Sequence, residues 1–311
     1  MVQRALTCMS SWLSTYGFEF TNRELAGIAW LVAMVVLIIV LAVLKQKIRS
    51  SLYQVLRMTF SPKLTVIWIV YVLWIMSFVL ISAWVGLWRA ILTKDTVVWS
   101  VTAGLALLVG FPEAKNLGYF RQELLKIVSI IVIFEYIVNF ASFSFWSELI
   151  IQPLIFIFLV APIIVDDPEQ REAWHRGRIW FFAILGIVTL AHTIRILYST
   201  RQTVDWELFA LQAVWPILLG IWVLILVFPL AIISSYEEAF IKLRLYRTER
   251  KGLWKAKLGL VMALGVRLRL IREAAKGGTK DVADAESVGA AYEAAKRYKT
   301  EIDGTEGHSK W

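Results

Sequence analysis

Four ionisable residues lie within or at the edge of long apolar runs and are the first candidates for chemistry: Glu135, Glu148, His192 and Arg195. Placing an ionised group in hydrocarbon costs about 2.5–3.5 kcal/mol on insertion scales, so each must face protein or water. Glu135 sits near the middle of KIVSIIVIFEYIVNFAS, and Glu148 near the start of FWSELIIQPLIFIFLVAPIIV. Each carboxylate has an amide four residues on, Asn139 and Gln152, which puts the two groups on one helix face. His192 and Arg195, three apart in the next apolar run, also share a face. With these runs as neighbouring helices, Glu148, His192 and Arg195 fall at similar depth and Glu135 somewhat deeper. Such a cluster can relay protons or ions, or hold an anionic substrate on Arg195. The plainer reading is interhelical adhesion: Arg195 pairs with the carboxylates, and Asn139 and Gln152 add hydrogen bonds.

The remaining reactive side chains do not converge. His175, His192 and His308 belong to three different regions, and Asp166, Asp167 and Glu169 are accounted for by a DDPE helix start. The single cysteine, Cys8, excludes an internal disulfide and a cysteine metal cluster. There is no glycine-rich phosphate loop, zinc-ligand spacing or nucleophile elbow. The expectation is therefore no metal, no cofactor and no catalytic residue. A lipid-modifying enzyme would need His, Asp and Glu clustered at one interface, and the histidines do not cluster.

The elements that must position the polar cluster are membrane helices. Of the 311 residues, 59% are hydrophobic and 18% charged, against roughly 25% charged in a soluble domain. Several apolar runs reach the roughly 20 residues that cross about 30 Å of hydrocarbon. Many of the 15 tryptophans stand at run ends, as in an interfacial aromatic belt. The N-terminus lacks a continuous apolar core for a cleavable signal peptide, so the first run is read as a retained anchor.

The pattern predicts an all-α polytopic bundle with seven spans: Leu25–Leu44, Leu64–Trp88, Thr96–Phe111, Lys126–Ser142, Phe145–Val165, Ile179–Tyr198 and Leu208–Ile233. The loop after the first span carries Lys45, Lys47, Arg49, Arg57 and Lys63 and no acid. By the positive-inside rule the N-terminus then lies outside and the C-terminus inside. Within that loop Leu52, Val55, Leu56, Thr59 and Phe60 share a helical face, which predicts a short helix on the inner surface. Thr96–Phe111 is short, about 24 Å as a helix, and rich in small residues. A re-entrant Thr96–Phe111 leaves six spans, and eight is the other alternative.

The expected organisation is an interfacial segment over 1–24, the bundle over 25–234, a basic amphipathic juxtamembrane region over 235–278 and a short helical or disordered tail over 279–311. Tyr236–Lys276 holds 11 Lys/Arg against 4 Asp/Glu, a net of +7. Leu260, Val261, Leu264, Leu268 and Ile271 define an apolar face expected to lie in the interface. Arg244, Arg247, Lys255, Lys257, Arg267, Arg269 and Arg272 are the expected contacts for anionic lipid headgroups. The interleaved apolar face favours lipid over nucleic acid. A homo-oligomer and a cytosolic protein partner are both compatible with such a tail.

Three stretches, EYIVNFASFSFWSELI (Glu135–Ile150), KDTVVW (Lys94–Trp99) and YEEAFIKLRL (Tyr236–Leu245), together resemble uncharacterised bacterial multi-pass membrane proteins. The resemblance implies a bacterial inner-membrane location and transfers no activity. The functional expectation is a non-enzymatic membrane scaffold or sensor/effector acting through its basic tail. The alternative is an ion or small-solute transporter or channel using Glu135, Glu148, His192 and Arg195, and against it stands the lack of a clear inverted repeat.

Overall fold

A computed structural model describes residues 20–114, 116–129, 136–137, 140–246 and 252–308. Among these the chain is helical throughout, without a strand. Six helices are long and apolar enough to cross a membrane: Asn22–Leu44, Pro62–Trp84, Leu92–Glu113, Phe145–Ile164, Pro168–Thr200 and Trp206–Tyr246. Residues 130–135 and 138–139 of the expected span Lys126–Ser142 lie outside the described residues, and with them Glu135 and Asn139, as does Arg247.

The chain divides into two compact units. The first comprises 1–97 and 129–216. It opens with α1 (Asn22–Leu44), started by a reciprocal cap: the Glu24 amide donates to Thr21 Oγ1 at 3.3 Å, and the Thr21 amide donates to Glu24 Oε2 at 2.7 Å. Only Ala26 and Ala42 of α1 are buried, so almost its whole apolar surface is turned outward, as a lipid-facing helix requires. The basic loop forms α2 (Gln46–Thr59), which buries no residue and carries its apolar face exposed, the form of a helix lying at an interface. Pro62, in the first turn, opens α3 (Pro62–Trp84), and Gly86 just beyond its end takes a φ of 81°, which a side chain would strain. Most of α4 (Leu92–Trp99) belongs to this unit, and the π turn Ser100–Gly104 and α5 (Leu105–Val109) that follow belong to the second.

Ser144 caps α7 (Phe145–Ile164), accepting from the Ser147 amide. α1 and α8 both pack against α7. α8 (Pro168–Thr200) starts where DDPE predicts, with Asp167 accepting from the Glu169 amide at 3.1 Å. The polar stretch Asp166–Arg178, which lies between two expected spans, is mostly helix, with Pro168 in the first turn where proline is tolerated. The resulting 33 residues make a rod of about 50 Å. The core of this unit centres on Trp215, fully buried against Phe78 at 5.1 Å and Trp88 at 5.6 Å between ring centroids.

The second unit comprises 98–128 and 217–311. It includes α6 (Leu117–Ile127), capped by Asn116, and most of α9 (Trp206–Tyr246). α9 does not stop at Ile233 as expected. Pro216 and Pro229 are accommodated inside a helix of 41 residues.

The tail differs most from expectation. Residues Leu253–Leu264 (α10), Leu268–Glu273 (α11), Thr279–Ala283 (α12) and Val288–His308 (α13) share a core with the end of α9. Leu260, Leu264 and Ile271, expected at the lipid interface, are buried together with Leu243, Val282, Ala291 and Ala295. The small faces of α10 and α13 permit a very close approach. A β-carbon on Gly259 would stand 2.5 Å from that of Ala291 and 2.8 Å from the Tyr292 amide nitrogen. An Ala-rich helix with a small-residue face therefore closes over the leucines.

Candidate functional site

The first unit holds a cleft of about 630 Å3 built from the beginnings of several helices. Arg23 and Glu24 belong to the first turn of α1, Lys94 and Asp95 to the first turn of α4, and Gln212 to the second turn of α9. Tyr136 and Phe140 close another side, both packed against Phe209 at ring-centroid distances of 5.1 and 5.0 Å.

Two ion pairs and one hydrogen-bonded relay organise these groups. Lys94 Nζ lies 3.2 Å from Glu24 Oε2, so the carboxylate that caps α1 also neutralises the lysine. Arg23 Nε lies 3.1 and 3.2 Å from the two oxygens of Glu148. Tyr136 donates its hydroxyl proton to Gln212 Oε1 at 3.2 Å, and Gln212 Nε2 donates to Asp95 Oδ2 at 3.2 Å. Below this relay Trp215 Nε1 donates to Thr96 Oγ1 at 2.9 Å, and Thr96 returns its proton to the Leu92 carbonyl at 2.7 Å.

Glu148 is 1% exposed. It also accepts the Phe143 amide at 3.0 Å. Its partner is Arg23 and not Arg195 as the sequence suggested. The reason is helix order: α1 packs on α7, so the first turns of those two helices meet. Gln152 reinforces the same contact by donating to the Arg23 carbonyl at 2.8 Å. His192 stacks on Phe143, with ring centroids 4.6 Å apart, and its Nε2 is 3.4 Å from the Ser142 carbonyl oxygen. Arg195 is exposed and, among the described residues, has no ion-pair partner. Thus Glu148, Gln152 and His192 all touch the 142–148 corner or the start of α1, and Arg195 does not join them.

Arg23, Glu24, Lys94, Asp95 and Gln212 were not singled out from sequence as site residues. The available signal was two adjacent charge pairs, RE and KD, each within a few residues of an apolar run's beginning. Among the described residues no three His, Cys, Asp or Glu side chains lie close enough to hold a metal ion.

The tail's basic side chains separate into several groups. Arg272 is engaged inside the second unit, donating to the Pro112 carbonyl at 2.6 Å and to Ser235 Oγ at 3.2 Å. Lys255 reaches the Glu286 carbonyl at 3.4 Å, and Lys257 sits 4.9 Å from the centroid of the Phe240 ring. Arg244, Arg267 and Arg269 are exposed. With the leucine face turned inward, the apolar surface that α10 and its flank present outward is Trp254, Leu258, Met262 and Val266. A comparison with protein-family models, curated proteins and solved structures finds no match for the chain.

Proposed function

We propose that this chain is a multi-pass sensor or effector of the bacterial inner membrane, not a transporter or an enzyme. It crosses the membrane seven times, with the N-terminus outside and the basic tail inside. The cleft is the input site, and the folded tail is the output surface, set against anionic lipid headgroups.

The observation that carries this reading is where the charges are. No Asp, Glu, Lys or Arg occurs in 25–44, 64–84, 149–164 or 179–194. Among the described residues of the first unit that line the cleft, charge stands at helix ends. A charged route through these spans, which an ion carrier would use, is missing from the described residues. The tail adds the second support. Trp254, Leu258 and Met262 stand exposed beside Lys255, Lys257, Arg267 and Arg269 directly after the last candidate span, a combination suited to an anionic interface. The inner-membrane location and the orientation rest on the sequence resemblance and on the basic loop after α1.

Hydrogen exchange of the full chain in nanodiscs tests the tail's part. With anionic lipid, peptides covering 253–270 exchange more slowly than with zwitterionic lipid, and Arg267→Glu with Arg269→Glu abolishes the difference. Equal exchange in both lipids removes the basis for an effector surface.

A further inference from the structure

Two faces of α10 do different things. Ala256, Gly259, Leu260 and Leu264 are its buried positions, and α13 closes over them. Trp254, Lys257, Leu258 and Val261 follow at the spacing i, i+3, i+4 and i+7, so they share another face. Together with Phe240 of α9 these four line a groove of about 320 Å3 within the second unit. Trp254 is 64% exposed and Leu258 45%, so the groove opens outward. Of the described residues that line it, Lys257 alone is charged. Its ammonium stands 4.9 Å from the centroid of the Phe240 ring. The ring face attracts the charge and sets it beside the apolar space, and an ammonium carries three hydrogen-bond donors.

From an apolar groove walled by a cation and continuous with the last candidate span, we infer that it holds one anionic phospholipid. The phosphate sits on Lys257, and the glycerol end of one acyl chain lies along Phe240, Trp254, Leu258 and Val261. Position favours this occupant. Phe240 is seven residues beyond Ile233, where the apolar run of α9 ends. That is about 10 Å along a helix, which sets the groove beside the headgroups and outside the hydrocarbon. An outward Trp254 suits the same depth. Charge argues in the same direction. α10 carries Lys255 and Lys257 and no Asp or Glu, so it is complementary to a phosphate. A second copy seated on this face by two-fold symmetry would bring those lysines against their own counterparts. The inference deepens the reading of the tail as a surface set against anionic lipid, and rests on that reading for its place at the membrane. It adds a single lipid, held by headgroup and chain together.

Photolabelling of the full chain in nanodiscs tests it. Two probes carry a diazirine at the same carbon near the glycerol end of one chain; one is a phosphatidylglycerol and the other a phosphatidylcholine. Label on 253–262 is divided by label on 25–44 of the lipid-facing α1. The ratio is at least about fivefold higher for the phosphatidylglycerol, the preference one basic side chain gives near an anionic headgroup. Lys257→Gln brings the two probes level. Val261→Trp fills the groove, keeps the charge and lowers phosphatidylglycerol labelling of 253–262 to the phosphatidylcholine level. Dissolved glycerol 3-phosphate does not compete. The inference is overturned by equal ratios for the two probes, by a preference that survives both substitutions, or by competition from glycerol 3-phosphate, which would assign the site to a free phosphate. The two-probe comparison uses the unsubstituted chain, so it can overturn the inference even where a variant misfolds. Equal ratios, with exchange of 253–270 still slower in anionic lipid, overturn the groove and leave the surface reading standing. A clear preference without that exchange difference does the reverse.

Discussion

Arg23 and Glu148, 125 positions apart in the chain, meet at 3.1 Å and hold the first turn of α1 against the first turn of α7. The carboxylate side chain is 2% exposed and the guanidinium side chain 28%. Removing Arg23 strands a buried charge, which typically costs about 3–5 kcal/mol. Partial exposure of Arg23 places Arg23→Ala at the low end, about 3 kcal/mol, read as a loss of thermal stability in detergent. Arg23→Met combined with Glu148→Met restores much of it, because the buried Glu148 charge is no longer stranded. Additive losses in that double variant would show that the two residues are not coupled.

Trp215 and Thr96 make a second test. Thr96→Val keeps the shape and removes the acceptor, leaving the buried Trp215 N–H unsatisfied at a cost of about 1–3 kcal/mol. Trp215→Phe with Thr96→Val should cost less than the sum of the two single changes. Denaturant or thermal unfolding of the four proteins gives the coupling.

The tail's packing predicts a contrast between two glycines. A methyl group at Gly259 meets the backbone of α13 at 2.8 and 2.9 Å, whereas at Gly220 it meets the side chain of Ile127 at 2.8 Å. Backbone cannot yield as a side-chain methyl can. Gly259→Ala therefore destabilises the tail by about 1–3 kcal/mol and exposes 253–308 to protease, and Gly220→Ala costs less. Equal protease resistance of Gly259→Ala and the parent would contradict the close helix approach.

Asp205, before the start of α9, predicts a pH dependence. Its carboxyl is held below the usual carboxylate range first by the Leu208 amide, and then by Arg89, at 3.2 Å, and the Glu207 amide. The pKa is lowered in the folded state, so the charged form is the one folding favours. The contribution is present above the unfolded value of about 3.9 and is lost as pH falls through the lower folded value. Asp205→Asn should flatten the stability profile in that acidic window and leave its shape near neutrality unchanged.

The proposed orientation is checked by labelling. Cys8, the single cysteine, reacts with a membrane-impermeant maleimide from outside intact cells. In a Cys8→Ser background, Ser309→Cys reacts only after permeabilisation. The reverse pattern would overturn the orientation, and labelling of both positions from the same side would overturn the seven-span count.

Much of the fold was legible because its determinants are local. Hydropathy marked the apolar runs, and Thr21, Ser144 and Asp167 act as caps close to where the sequence placed helix starts. Helix lengths were less legible: α8 and α9 continue through charged stretches that hydropathy reads as loops but that contain no breaker. The tail's core was missed because the same leucine face satisfies lipid or another helix equally well. Only the small-residue face that includes Ala291 and Ala295 decides between them, and that is a long-range contact. Glu148 was recognised as needing a partner, but its choice of Arg23 over Arg195 depends on which helices are neighbours, and that order is not written in either residue's surroundings.

Solute flux in proteoliposomes tests the central claim, a membrane protein that senses without transporting, most directly. The full chain is reconstituted, and uptake of protons, sodium and potassium is followed against protein-free vesicles at acidic and neutral pH. The account predicts no flux above the protein-free background for any of them. Saturable uptake that is lost in Asp95→Asn would contradict it and make the cleft the entrance of a transport route.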